Sequence, residues 1–162
     1  MMIDIRFPDG SVRSFEEGVT GYQIAESISP RLAADVLAVS VKADDDATVG
    51  KGNVIGLDTP IVKNSSIRLL KWDDPEGKHV FWHSSAHLMA QALEALYPGV
   101  KFGIGPALEN GFYYDVDLGD KVLSDNDLPA IEKKMLEFAH SREAFQCTHV
   151  AKADALKYFN EK

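Results

Sequence analysis

A single cysteine, Cys147, in 162 residues leaves this chain unable to form an internal disulfide or to build a closed thiolate metal site from its own side chains. A free thiol in a reducing compartment is the simplest expectation. Long apolar runs are also missing, and Met1 to Gly10 carries Asp4, Arg6 and Asp9 where a secretory signal needs its apolar segment. The chain is therefore expected to be cytoplasmic, with no membrane partner. Positive charge is scarce: 17 Lys and Arg stand against 25 Asp and Glu, for a formal charge of −8. That balance argues against a module that holds nucleic acid through a broad basic field, because such binding masses cations against phosphates. DNA is not expected as a partner, and any RNA contact must be local. The deficit is spread along the chain, with 8 Lys and Arg against 10 Asp and Glu up to Trp72 and 9 against 15 beyond it.

What is present is enough apolar material for a core. With 45% hydrophobic and 26% charged residues, the chain suits one or two small globular domains. Met2 to Phe7 alternates, with Ile3, Ile5 and Phe7 on one face, and Pro8-Asp9-Gly10 is a turn leading into a second strand over Ser11 to Phe15. Val12 and Phe15 do not share a strand face, which predicts a bulge or an early strand end. Thr20 with Gln23 three residues later reads as a capping box opening a helix that runs to about Ser29, where Pro30 helps to end it. Val36 to Val41 is a β-branched run, and a last strand is expected over Ile67 to Trp72. Hairpin, helix and then further strands are the order of a ubiquitin-like β-grasp, an α+β unit. Nothing in it pairs a nucleophile with a base, so a binding or docking role is expected for residues 1–72.

The polar segment 73–77, with Pro75 and Gly77, reads as a linker to a second unit over 78–162. A helix from about Lys78 to Tyr97 carries Trp82, Ala86, Met89, Leu93, Leu96 and Tyr97 at helical spacing. Glu109-Asn110-Gly111 then forms a hairpin turn between Phe102–Pro106 and Phe112–Leu118, with Phe112, Tyr114, Val116 and Leu118 on one face. A second helix is expected from Ser124 to Arg142, a strand over Phe145 to Val150, and the start of a third helix over Ala151 to Lys162. The absence of a stop signal there is read as a sign that the polypeptide is part of something longer.

The chemistry is concentrated in His83-Ser84-Ser85-Ala86-His87, two imidazoles one turn apart on one helix side, at the rim of the apolar stripe. A rim position beside small side chains can present two ring nitrogens to a ligand, although an isolated pair at this spacing is more often an ordinary half-buried one. A zinc hydrolase of the H-E-x-x-H type is excluded, because Ser84 stands where the general base would be. Glu94 lies too far along the helix axis to complete a metal site with the pair. Cys147 and His149 would share a face of an alternating strand, an arrangement that packing explains better than ligation. His79 and His140 are read as surface residues without partners.

FPDGSVRSF, VTGYQIAESISPRLA, HSSAHLMAQAL and FGIGPALENGFYYDVDL together resemble the amino-terminal region of bacterial threonyl-tRNA synthetases, over essentially the whole chain. The resemblance implies that residues 1–72 form a TGS domain of β-grasp fold and that residues 78–162 begin the α/β editing domain. It further implies an editing pocket that uses His83 and His87, with Tyr114 of the FYYD segment helping to place water. In that family the His pair is joined by a later C-x-x-x-H element, whose spacing Cys147 and His149 do not match. That element is expected beyond Lys162, together with the ATP- and magnesium-using core, its zinc site and the anticodon-binding domain. These residues alone are then expected to be inactive, to bind no cofactor or metal, and to meet the acceptor end of threonine tRNA within a homodimeric parent. Two other readings stay open: a regulatory or RNA-docking β-grasp protein, and a free-standing zinc hydrolase.

Overall fold

Alternation of buried and exposed residues makes Ile3 and Ile5 the inward side chains of β1 (Met2–Arg6), and a turn through Pro8, Asp9 and Gly10 returns the chain as β2 (Val12–Glu16). The turn is closed by Phe7 N–H donating to Ser11 O at 2.8 Å, and both the amide and hydroxyl of Ser11 donate to Asp9. In the computed structural model, which describes residues 1–45, 52–143 and 148–160, this ladder is regular from Met2↔Glu16 to Arg6↔Val12. The expected bulge does not occur. Phe15 faces the core opposite Ile3, and Val12 is left on the outer face opposite Arg6, where exposure is tolerated.

The short strand β3 (Val19–Thr20) leads into α1 (Gly21–Ile28), whose capping box is formed in both directions: Gln23 N–H donates to Thr20 Oγ1, and Thr20 N–H donates to Gln23 Oε1. Pro30 does more than end this helix. Ser29 caps a second short helix, α2 (Pro30–Asp35), because proline at a first helical turn loses no hydrogen bond. The chain continues through β4 (Ala38–Ala43), β5 (Asn53–Ile55), β6 (Pro60–Ile61) and β7 (Ser65–Leu70). The main sheet has the order β2-β1-β7-β4-β5, with β1 and β7 parallel at its centre and the other pairs antiparallel. A hairpin, a covering helix and a last strand returning beside the first make a β-grasp. Ile5, Ile24, Val39 and Ile67 meet in the core between the sheet and α1, and Ala25, Ala33 and Val36 extend it under α2.

The next helix, α3 (Pro75–Leu96), starts three residues earlier than its sequence pattern suggested, so that Pro75 to Gly77 are its first turn. Asp74 accepts from Lys71 N–H at 2.8 Å and from Arg68 at 3.2 Å, while Glu76 stands 3.7 Å from the same guanidinium. Gly77 is pressed so closely on the Lys71 carbonyl that a Cβ has no room there. Beside this junction Trp72 packs edge-on against Phe81 at 5.0 Å and Trp82 at 5.6 Å, and Trp82 in turn meets Phe112.

Phe112 belongs to a hairpin of interrupted strands, β8 (Lys101–Phe102), β9 (Ala107–Leu108), β10 (Gly111–Phe112) and β11 (Val116–Asp117). β9 pairs with β10 and β8 with β11, and Gly103 N–H to Asp115 O bridges the gap. The expected alternation holds, with Phe112, Tyr114, Val116 and Leu118 half-buried and Tyr113, Asp115 and Asp117 exposed.

The helix α4 (Leu128–Ser141) packs on α3 and buries Ile131. It begins at Leu128, not Ser124: the Ser124 hydroxyl donates to Asp127, but that bond closes a turn ahead of the helix. The last helix, α5 (Lys152–Asn160), buries no residue. Of the strand expected over 145–150, residues 145–147 lie outside the described residues, and Thr148 to Val150 are irregular. The Cys147–His149 pairing is for that reason also outside them. Among the described residues no helix is long and apolar enough to cross a membrane.

Candidate functional site

The apolar stripe of α3 buries Ala86 and Leu93 and half-buries Trp82, Met89 and Leu96, which fixes the azimuth of everything else on the helix. His83 and His87 emerge from its flank as exposed residues with their rings stacked, centroids 4.8 Å apart and planes 22° from parallel. His79 continues the row one turn earlier, its exposed ring edge-on to His83 at 6.2 Å. The pair is thus a run of three. His79 has a partner after all, and the same spacing of four residues that singled out His83 and His87 was the signal for it.

Partial burial of its ring, and secondarily the proximity of His83, push the His87 pKa below its ordinary value of 6.5. Near neutral pH the ring is uncharged, with one nitrogen able to accept a hydrogen bond and the other to donate one. A neutral His87 stacked on His83 can therefore hold a hydroxyl group and take a proton from a water.

Tyr114 is half-buried in the hairpin, its ring edge-on to Phe102 at 5.5 Å and lying directly over Gly105, where a Cβ would run into it. No ring contact joins it to either histidine among the described residues. The structure therefore places the Tyr114 ring in hairpin packing. Two hollows lie elsewhere, one on the first sheet around Arg6, Lys42 and Arg68 and the other where the end of α3 meets Lys101 and Lys121. Neither hollow is lined by His83 or His87, which are both exposed. Among the described residues no three His, Cys, Asp or Glu side chains group closely enough to hold a metal ion.

No protein-family model matches the chain. Curated relatives do. The chain is 57% identical over 99% of its length to the threonine–tRNA ligase of Porphyromonas gingivalis, and 56% identical over 99% to those of Phocaeicola vulgatus and Bacteroides fragilis. Identity of that order along the entire chain makes it similar to part of proteins of the aminoacyl-tRNA ligase class. Within that class its whole length matches the amino-terminal part of bacterial threonine–tRNA ligases. It spans 23% of the first of these relatives and 24% of the other two.

Proposed function

We propose that this chain is the amino-terminal region of a cytoplasmic, homodimeric enzyme that attaches threonine to its tRNA with ATP, and that the region contributes half of a site that removes serine attached in error. In this reading residues 1–72 are the TGS domain, and residues 78–162 open the editing domain, with 73–77 between them. ATP, magnesium and zinc would serve the ligase core of the whole protein and are assigned to no residue of this chain.

The need for such a site follows from chemistry. Threonine and serine differ by one methyl group, and a pocket that grips that methyl discriminates by only ~1–3 kcal/mol. A second pocket that accepts serine and excludes the extra methyl supplies the rest. Its reaction is ester hydrolysis: water adds to the seryl carbonyl carbon, the bond to the terminal ribose oxygen breaks, and that oxygen leaves with a proton as the free hydroxyl. The step needs an oriented water, an acceptor for its proton, and a grip on the ribose hydroxyls of the tRNA acceptor end. The imidazole nitrogens of His83 and His87 suit those tasks, and the lowered pKa of His87 keeps that ring neutral near pH 7.

The observation that supports this reading is the outward presentation of two stacked imidazoles 4.8 Å apart, on a helix of a chain related to threonine–tRNA ligases. Their exposure fits a half-site that the rest of the parent completes. In the full-length parent, His83→Ala together with His87→Ala should lower hydrolysis of seryl-tRNA at least about a hundredfold, a loss typical of removing general acid–base groups. Attachment of threonine should be unchanged. Hydrolysis that persists at the parental rate overturns the assignment, as does elemental analysis showing stoichiometric zinc on the pair, which would favour a metal hydrolase.

A further inference from the structure

On the β-grasp sheet, the face turned away from the core carries a cluster of cations that nothing above has used. Ile5, Val41 and Ile67 point to the core, so their neighbours Arg6, Lys42, Ser66 and Arg68 point the other way. The register brings them together: Ser66 on β7 is flanked by Arg6 on β1 and Lys42 on β4, and Arg68, two residues further along, stands opposite Ser40. At roughly 4.8 Å per strand, Arg6 and Lys42 begin roughly 10 Å apart, with the Ser66 hydroxyl between them. These side chains line a hollow of about 300 Å³ with Phe7 and Gly52.

We infer that this hollow is a docking site for the phosphate backbone of an RNA strand. Three cations in one concavity repel each other, and a chain of net charge −8 has acidic side chains to spare. Yet only Arg68 is given carboxylate partners, Asp74 and Glu76, which fix its guanidinium at the edge of the hollow. Among the described residues Arg6 and Lys42 make no ion pair. An anion from outside would satisfy both, and the Ser66 hydroxyl would donate to it.

The hollow favours a backbone over a free nucleotide. Phe7 is the one aromatic residue lining it, and its ring packs against the core with the Arg13 guanidinium over it at 5.6 Å, so the hollow offers no free ring on which a base could stack. The choice of RNA among polyanions rests on reading the chain as part of a tRNA ligase. The site itself rests on sheet register.

The test is a titration of the 162-residue chain with a fluorescently labelled RNA hairpin, repeated across a range of salt concentrations. Arg6→Gln with Lys42→Gln should weaken binding at least about tenfold and make the slope of log K against log salt shallower by nearly two, the share of two phosphate contacts. Arg6→Lys with Lys42→Arg should restore most of it. A hairpin of different sequence should bind equally, because phosphate contacts carry no sequence information. The inference is overturned if the double Gln variant, with an unchanged melting temperature, binds as the parent does. It is overturned as well if inorganic phosphate saturates the chain while the hairpin does not bind. Failure of the editing assignment would appear in ester hydrolysis by the parent and leave this titration untouched.

Discussion

At His87 two causes act in the same direction. Partial burial is the larger and the neighbouring His83 the smaller, and both disfavour the imidazolium. The sign for stability follows. Below the ordinary value of 6.5 the unfolded chain takes up this proton before the folded one does, so His87 erodes stability as pH falls from 6.5 to its own lower pKa. A two-dimensional NMR titration should show His87 ionising below 6.5, and His83→Ala should move it back only part of the way, because burial remains. A His87 that titrates at or above 6.5 would contradict the packing described. The spacing of the pair and its place at the rim of the stripe were legible in the residues, since both follow from helical periodicity. The stacking of the rings was not, because it depends on rotamers, and the His79 contact was passed over although the spacing was the same.

At the scale of elements, capping chemistry was read best and proline worst. Thr20 and Gln23 form both hydrogen bonds of their box because all the groups involved lie within four residues. Pro30 and Pro75 were each read as marks of a break, and each opens a helix, since a ring that fixes φ suits a first turn as well as a loop. The start of α3 also allows a prediction in which two effects oppose one another. Replacing a helical glycine by alanine ordinarily gains about 1 kcal/mol. At Gly77 the methyl would meet the backbone of Lys71, which cannot swing aside, and overpacking of this kind costs ~1–3 kcal/mol. Gly77→Ala should therefore lower the denaturation midpoint despite its better helix propensity, and an increase would show that the contact yields.

For the whole molecule, the buried apolar residues are unevenly shared. Of the fifteen among the described residues, eleven precede Trp72, and Ala86, Ala92, Leu93 and Ile131 are the remainder. Hydrogen exchange should be slowest in β1, β4 and β7 and faster by orders of magnitude in the hairpin and α5, because local opening is cheap where little apolar surface is buried. Uniform protection along the chain would refute this division. The β-grasp was readable because its strands alternate cleanly and its connections are short. The hairpin after α3 was read as two longer strands because the alternation that runs unbroken from Phe112 to Leu118 says nothing about which backbone groups find partners. The junction between them also governs how motion travels. With Asp74 tied to both Lys71 and Arg68, and no slack at Gly77, α3 is a rigid outrigger of β7, and the direction in which its imidazoles aim is inherited from the sheet. A chimera that transplants this helix onto a foreign β-grasp without those four residues would lose that aim.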